Sequence, residues 1–379
     1  MIIGVDAYYL YAEHIDGLGN YLLRLLKELS RIDRENEYFL YTPGISHSEY
    51  AEAILANPRF TLRQIPGILT GKRRFWLQSP SLKRQILSDG VELFFAGAEY
   101  FPLFLPKRVT VATTIHDVAF KAIPEAISLA NSIFYNYFFP FFIRRSDYFF
   151  TVSHHSKKEM VTYLGIADEK ISVVYNGIEL ENFPPAKKAE KKNYILFVGT
   201  LQPRKNLLNL VQAFARVAGD IDSDLVIVGG SGWKNTPLRD LIDRLNDPVR
   251  KRIIFKGYVA GDTLAALYRE AKVFALPSLH EGFCLPILEA MASGTAVLTA
   301  RSTAIPEVFG DAVVYADPLS PVDIADKLRD LVQSEKKRLT LQNKGLALSK
   351  KYDVRNQAEG YRACFKKIAA MTGTRKVVS

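Results

Sequence analysis

Two glutamates in one apolar stretch are the first residues of this chain that suggest chemistry. Glu281 and Glu289 lie within LHEGFCLPILEAMASG, residues 279–294. A proline is tolerated in the first turn of a helix, so Pro286 predicts a helix that begins near Leu285. Glu281 then lies in the preceding loop, and Glu289 lies about one turn inside the helix. Both carboxylates would project toward the helix N-terminus, where unpaired N–H groups favour a phosphate.

This spacing fits a nucleoside diphosphate that carries a sugar. The carboxylate inside the helix is placed to accept hydrogen bonds from a ribose diol. The carboxylate in the loop is placed to bind sugar hydroxyls beyond the phosphates, and Gly282 and Phe283 allow the backbone to approach closely. Taken alone, the stretch is equally compatible with an ordinary helix start that has one exposed glutamate.

A pair of adjacent cations supports the ligand interpretation. FVGTLQPRKNLLNLV, residues 197–211, predicts a strand, a turn that contains Gly199 and Thr200, and then Arg204 and Lys205 before a helix. Two cations at the carboxyl end of a strand are well placed to bind a diphosphate. Solvated surface charges are the usual alternative for lysine and arginine, but the strand-to-helix turn favours function.

Weaker signals lie in the first half of the chain. Gly17 and Gly19 come just before a predicted helix, where their backbone could approach a phosphate or a reacting sugar, although the third glycine of a dinucleotide fingerprint is missing. His116 and Asp117 end the apolar strand TTIHDVAF. Ligands bind at the carboxyl ends of strands in open α/β sheets, whereas a single histidine there is more often structural.

The elements that must position these residues alternate between strands and helices. This alternation predicts an α/β protein with parallel sheets covered by helices, and its restart after Pro184 and Pro185 predicts two doubly wound domains, 1–184 and 185–354. The terminal segment, about 355–379, has helical spacing and can pack back on the first domain. The strands are predicted in IIGVDAY, EYFLYTP, VTVATTIHD, DYFFTVS, NYILFVGT, SDLVIVGG, RIIFKGYV and VFALPS.

Composition narrows the class of protein. The chain has 379 residues, 48% of them hydrophobic and 24% charged, as expected for a globular protein. The net charge is +10, and it divides into −1 for residues 1–184 and +11 for the rest, so the second half should attract anions. Two cysteines and no basic, apolar leader favour a reduced cytoplasmic setting. The aromatic run 133–143 is too short to span a membrane and predicts a core helix, with a membrane-surface patch as the alternative.

Taken together, these motifs resemble a known family. Glu281 and Glu289 form an E-x₇-E pair, and with GTLQPRKN, TTIHDVAF and VYNGIE they occur in the order found in retaining glycosyltransferases of family 4. The resemblance covers almost the whole chain. It implies the GT-B fold, in which two Rossmann-like domains face a cleft.

The resemblance also implies roles for individual residues. Arg204 and Lys205 would bind the donor diphosphate, Glu289 the ribose, and Glu281 the donor sugar near the reaction centre. His116 would lie near C6 of that sugar and complete a catalytic set of four. The remaining donor-binding positions are backbone or loop residues: Gly17, Gly19, Gly199, Thr200, Gly257, Tyr258, Val259, Gly282, Phe283, Cys284 and Leu285. Two positions depart from the pattern: Cys284 replaces a common glycine, and Asn20 replaces a common basic residue, so this loop is not expected to supply a cation.

The implied reaction transfers a sugar from a nucleotide sugar with retention of configuration. The nucleotide sugar is a substrate, so no cofactor is expected. No metal is expected either, because the cations and the helix N-terminus stabilise the leaving diphosphate, and the DSD at 222–224 precedes a strand, at the wrong end for the site. The segments IHDVAF and RSTAIPEVFGDAVVYADP resemble bacterial mannosyltransferases of O-antigen and polysaccharide assembly and favour GDP-mannose. A UDP-sugar or a GDP-deoxyhexose is the alternative donor.

Partners follow from this interpretation. A nucleotide-diphosphate sugar is the expected donor, and a glycan or polyprenyl-linked oligosaccharide the expected acceptor. The aromatic run and a basic cluster suggest contact with the inner face of the cytoplasmic membrane; the cluster comprises Lys72, Arg73, Arg74, Lys83 and Arg84. A nucleotide-sugar epimerase and a nucleic-acid-binding protein are alternatives of other classes, but the first would not need both motif sets, and aromatic–basic nucleic-acid motifs are absent.

Overall fold

The computed structural model contains two compact α/β units. The first comprises Met1–Val118, Leu129–Gly177 and Val354–Ser379, and the second comprises Ala119–Ser128 and Ile178–Asp353. The structure describes residues 1–12, 15, 17–67, 72–124, 127, 129–185, 191–230, 232, 236–259 and 261–378.

The first unit is built on a seven-stranded, wholly parallel sheet in the order β3-β2-β1-β4-β5-β6-β7. Its strands are β1 (Ile2–Asp6), β2 (Glu37–Thr42), β3 (Phe60–Gln64), β4 (Leu93–Ala96), β5 (Thr110–Thr114), β6 (Tyr148–Thr151) and β7 (Ile171–Val173). The next strands along the chain form the second unit's six-stranded sheet, which is also parallel and has the order β10-β9-β8-β11-β12-β13. They are β8 (Lys192–Val198), β9 (Asp224–Val228), β10 (Ile253–Gly257), β11 (Ala271–Leu276), β12 (Ala296–Ala300) and β13 (Val314–Ala316).

Helices cover both sheets. Those of the first half are α1 (Gly17–Ile32), α2 (Ser48–Leu55), α3 (Arg73–Trp76), α4 (Pro80–Ser88), α5 (Ala119–Ala122, in the second unit), α6 (Leu129–Ile133), α7 (Phe139–Arg145) and α8 (His154–Leu164). The second half adds α9 (Leu207–Val217), α10 (Thr236–Arg244), α11 (Asp247–Arg250), α12 (Gly261–Glu270), α13 (Leu285–Ala292), α14 (Ile305–Phe309), α15 (Pro321–Gln333), α16 (Glu335–Ser349) and α17 (Val354–Val378). A π-helical turn, Phe134–Phe138, joins α6 to α7.

The core of the first unit includes the last helix of the chain. Leucines of α1 alternate with polar residues at helical spacing, and their buried face packs on β1 and against Tyr361 and Phe365 of α17. The hydroxyl groups of Tyr21 and Tyr361 are hydrogen-bonded to each other inside this core. The α/β class and the parallel sheets predicted from strand–helix alternation are confirmed.

One predicted helix start is wrong by a few residues. Gly17 and Gly19 lie inside the first turn of α1 and not before it. A side chain at Gly19 would meet the ring of Tyr9 at 2.6 Å, so the glycine lets this turn pack closely. Helix α13 begins at Leu285, as Pro286 predicted.

Candidate active site

The turns after β8 and β9 bring backbone unusually close at the carboxyl edge of the second sheet. A Cβ built on Gly229 would lie 2.0 Å from the carbonyl oxygen of Gly199, and one on Gly232 would lie 1.8 Å from that of Leu201. A side chain is therefore excluded at both positions. Thr200 lies in the turn after β8, against the backbone of the turn after β9. Sequence reasoning missed Gly229 and Gly232, although the VGGSG run after β9 was a usable signal.

The turn that carries the two cations is held from several sides. Arg204 and Lys205 end a 3₁₀ turn, Pro203–Lys205, and Asn206 follows in the left-handed conformation with φ 60°. The Asn206 side-chain amide donates to the carbonyl oxygens of Pro277 at 2.9 Å and Pro318 at 2.7 Å. Asparagine tolerates this conformation and supplies the donors, so it ties the cation turn to the loop after β11.

The two cations meet at one carboxylate. Lys205 Nζ donates to Glu281 Oε1 at 2.6 Å, and Arg204 donates to Glu281 Oε2 at 3.1 Å. All three side chains are largely withdrawn from solvent, with 9% of Lys205, 22% of Arg204 and 5% of Glu281 exposed. Burial raises the pKa of Glu281, but the charges of Lys205 and Arg204 outweigh it and lower the pKa to about 2. The trio therefore carries one net positive charge.

The loop that carries Glu281 is fixed by its backbone. The Glu281 N–H donates to Thr303 Oγ1 at 2.9 Å, and the same hydroxyl donates to the Glu281 carbonyl at 2.9 Å. Thr303 itself has φ 47°, a rare conformation for a β-branched residue. The Leu279 N–H donates to the Arg204 carbonyl at 2.8 Å, which joins this loop to the cation turn. Thr303 is a positioning residue that sequence reasoning did not single out.

The residues just before α13 present backbone to the site. Cys284 has φ 80° and is the residue that precedes the helix, so a glycine would fit there without strain, as the family pattern implied. Burial raises the pKa of the Cys284 thiol, which keeps it protonated and unreactive. The Phe283 ring is buried against Phe309 and Tyr352. A ligand at this position would therefore contact the main chain of Gly282 and Phe283 and not their side chains.

Glu289 is held separately from the cation pair. It lies one turn inside α13, is 9% exposed, and its Oε2 accepts a hydrogen bond from the Tyr268 hydroxyl at 3.0 Å. Tyr268 lies on α12, and its own carbonyl accepts from Thr295 Oγ1 at 2.5 Å. The carboxylate is thus oriented by a neighbouring helix.

The segment Gly257–Val259 ends β10 beside these turns. Gly257 has φ 67° at a shift in strand register, and its carbonyl accepts from the Gly229 N–H at 2.8 Å. Tyr258 is 64% exposed. The rim formed by Gly199, Gly229 and Gly257 therefore runs along the ends of three adjacent strands, where ligands bind in open α/β sheets.

The candidate residues from the first half of the chain, Gly17, Gly19 and His116, belong to the first unit. His116 follows β5, its Nε2 is 3.0 Å from the Gly97 carbonyl oxygen, and its ring lies edge-on to Tyr21 at 4.5 Å. Gly17 has open space around its Cα, and Gly19 is packed against Tyr9. His116 therefore has a structural hydrogen bond in addition to any role toward a ligand.

Two family models match the sequence of this chain. One, described as glycosyl transferases group 1, matches residues 179–347 and contains the cation turn and both glutamates; the other, described as glycosyltransferase family 4, matches residues 15–182. The chain belongs to the family 4 glycosyltransferases. The E-x₇-E pair and the Arg–Lys turn of this glycosyltransferase thus lie in the group 1 half of the chain.

Individual relatives agree with this assignment. The chain is 27% identical to the Escherichia coli O-antigen chain mannosyltransferase B over 362 residues, which is 90% of this chain and 93% of the relative. Among solved structures, sucrose-phosphate synthase from Thermosynechococcus elongatus superposes with a TM-score of 0.75 at 17% identity, over 98% of this chain and 99% of the other. Anabaena HepE, solved in complex with UDP and glucose, superposes with a TM-score of 0.73 at 17% identity, over 97% and 99%. These structures confirm the GT-B fold predicted from the motifs.

Proposed function

We propose that this glycosyltransferase moves mannose from GDP-mannose to a hydroxyl of a glycan or lipid-linked oligosaccharide, with retention of configuration. The observation that carries the proposal is the buried carboxylate of Glu281 shared by Arg204 and Lys205. A site with one excess positive charge beside a helix N-terminus attracts a diphosphate.

In the proposed reaction, the bond between C1 of the sugar and the diphosphate oxygen breaks. The acceptor oxygen forms its bond to C1 on the same face, and its proton passes to the leaving diphosphate. Arg204 and Lys205 stabilise the negative charge that develops on that diphosphate. Glu281 holds both cations and accepts hydrogen bonds from hydroxyls of the transferred sugar, Glu289 binds the ribose, and the segment Gly257–Val259 lines the base.

Metal independence is part of this proposal. The two side-chain cations provide the charge that a divalent ion would otherwise supply to the leaving group. We expect activity to persist in excess EDTA, and a requirement for added Mg²⁺ or Mn²⁺ would contradict this part of the mechanism.

The choice of donor rests on relatives. The full-length relative in Escherichia coli is named as a mannosyltransferase, which favours GDP-mannose. A UDP-sugar is the second candidate, because Anabaena HepE has the same fold and was solved with UDP and glucose.

Ligand-dependent melting separates the two donors. We expect GDP to raise the melting temperature more than UDP, ADP or dTDP, and GDP release from GDP-mannose to increase when a glycan acceptor is added. Stronger stabilisation by UDP than by GDP would mean that the donor is a UDP-sugar and not GDP-mannose. The assignment as a transferase would remain. NMR of the product gives the anomeric configuration of the new glycosidic linkage. An α linkage would support retention, and a β linkage would exclude it.

A membrane-borne acceptor is also proposed, with the enzyme at the inner face of the cytoplasmic membrane. Support comes from an aromatic patch on α6, the π turn and α7, whose members are Ile133, Tyr137, Phe138 and Phe141 and are 48%, 71%, 56% and 56% exposed. Their spacing places them on one helical face, while Phe139 and Phe142 on the other face are buried. Exposed Lys72, Arg74 and Arg144 belong to the same unit, which suits an anionic lipid surface. In the described part of the chain, no helix is long and apolar enough to cross a bilayer.

A further inference from the structure

The end of helix α12 is held by side chains from outside the helix. The last four carbonyl groups of an α-helix have no partner within that helix. In α12, three consecutive carbonyls of this set each accept a hydrogen bond from a side chain elsewhere in the second unit. The pairs are the Leu267 carbonyl with the Tyr194 hydroxyl at 2.7 Å, the Tyr268 carbonyl with Thr295 Oγ1 at 2.5 Å, and the Arg269 carbonyl with Lys191 Nζ at 2.6 Å. These three hydrogen bonds fix the position of the helix end.

Two of the three donors are connected to each other. Lys191 Nζ also donates to Thr295 Oγ1 at 2.9 Å. A hydroxyl group can accept one hydrogen bond while it donates another, so Thr295 relays the contact from Lys191 to Tyr268. Thr295 is 1% exposed, and its backbone N–H donates to the Ala290 carbonyl at 2.9 Å. The pair Lys191 and Thr295 therefore joins the end of α12 to the end of α13, the helix that carries Glu289.

Lys191 is a partly buried cation that has no acid beside it. Among the described residues, its amine has two hydrogen-bond partners, and both are neutral oxygens. The next residue, Lys192, is instead paired with Glu270 at 2.6 Å. Burial and the charge of Arg269 lower the pKa of Lys191 to about 8, so its amine is still mostly charged at neutral pH. A positive charge is favourable beside the free carbonyls of a helix C-terminus, which explains why a lysine is kept at this position.

Tyr268 links the helix end to Glu289. Its side chain is 0% exposed, with the ring of Phe183 edge-on at 6.0 Å and the ring of Phe274 at 5.5 Å. Its hydroxyl donates to Glu289 Oε2 at 3.0 Å. Because the ring is closely packed, the hydroxyl moves only with the backbone of Tyr268. A shift of the end of α12 would therefore displace the donor that orients the Glu289 carboxylate.

We infer that Lys191 and Thr295 are positioning residues for the donor ribose, and that they act on Glu289 through the end of α12 and the Tyr268 hydroxyl. The inference rests on the proposed role of Glu289 in binding the ribose. Loss of the Lys191 amine would leave the Arg269 carbonyl without its donor and would loosen the end of α12. The contact between Glu289 and the ribose hydroxyls should weaken as a result, while contacts to the diphosphate and the base should not.

Calorimetric titration with two ligands tests this role. The first ligand is GDP or UDP, whichever raises the melting temperature of the wild type more, and the second is its 2′,3′-dideoxy analogue, which lacks the ribose hydroxyls. We expect the wild type to prefer the first ligand. Lys191→Met should weaken binding of the first ligand by about fivefold and leave binding of the analogue unchanged. Lys272→Met, at a β11 lysine whose amine donates to Asn193 on β8, should bind both ligands as the wild type does.

A double variant separates this chain of contacts from a general loss of packing. In a Tyr268→Phe background, Lys191→Met should cause no further loss, because both substitutions remove the same link to Glu289. Thr295→Val removes the same donor with little change in shape, and it tests the inference if Lys191→Met does not fold.

Three results would overturn the inference: equal weakening of both ligands by Lys191→Met, unchanged binding by both Lys191→Met and Thr295→Val, or additive losses in the double variant. If the wild type binds the diphosphate no better than its dideoxy analogue, the proposed ribose role of Glu289 is wrong, and the inference fails with it. That failure appears in the wild type alone and is thus distinguished from a failure of the positioning role.

Discussion

Lys205 Nζ lies 2.6 Å from Glu281 Oε1, and each of the two side chains is at least nine-tenths buried. A buried ion pair of this kind is weak evidence for stability, because desolvation offsets much of the attraction. Its position beside the carboxyl edge of a parallel sheet is better explained by the proposed function. In the proposed mechanism, the acid holds the two cations close together before a diphosphate binds.

Lys205→Ala should reduce catalysis strongly. Lys205 would stabilise charge that develops on the leaving diphosphate, and loss of one such electrostatic donor lowers kcat by roughly 10²–10³-fold. Steady-state release of GDP from GDP-mannose gives kcat and KM, with circular dichroism to confirm folding. Lys251→Ala, at an exposed lysine of the same unit, is the control. Wild-type kinetics in Lys205→Ala would rule out the diphosphate role.

Glu281→Gln should make the stability of the protein less dependent on acid. The folded pKa of Glu281 is about 2, below the value of about 4.3 in an unfolded chain. Its ionised form therefore stabilises the fold above about pH 4.3, by roughly 3 kcal/mol, and this contribution disappears as the pH falls toward 2.

Urea unfolding at about pH 7 and pH 3 measures this effect. The wild type should be more stable than Glu281→Gln at neutral pH, and the difference should shrink at the lower pH. Glu359→Gln, at an exposed acid, should follow the wild type at both values. A difference independent of pH would show that the carboxylate charge is not responsible.

Much of the fold could be predicted because its signals are local. Apolar strands alternate with helical spacing along both halves, and this pattern predicts parallel sheets without any knowledge of contacts. The start of α13 at Leu285 followed from one proline. The helix start at Gly17 was misplaced because glycine is compatible with a turn as well as with a first helical turn.

The arrangement of the candidate site could be predicted only through the family resemblance. Glu281 is 76 residues from Lys205 in the chain, and no local pattern shows that one carboxylate binds both cations. The aromatic run was predicted to be a core helix, but periodicity could not show that Tyr137 and Phe138 remain exposed while Phe139 is buried.

Glu289→Ala should weaken donor binding more than it slows the chemical step. The ribose does not react, so its contacts are equal in the ground and transition states, and their loss raises KM with little change in kcat. Tyr268→Phe, which removes the hydrogen bond to Glu289, should raise donor KM by only about fivefold. A large fall in kcat at unchanged KM in Glu289→Ala would contradict the ribose role.

The aromatic patch should bind lipid. Phe138 and Phe141 each expose 56% of their surface, and burying a phenylalanine contributes roughly 1.5–3 kcal/mol. The double substitution Phe138→Ser/Phe141→Ser should therefore lower partitioning into anionic vesicles by about a hundredfold or more. Flotation with vesicles of phosphatidylglycerol and phosphatidylcholine at low salt measures this partitioning. Leu319→Ser, at a leucine of the second unit that is 75% exposed, should float as the wild type does. If the wild type stays unbound, or the double variant floats equally well, the patch does not contact a membrane.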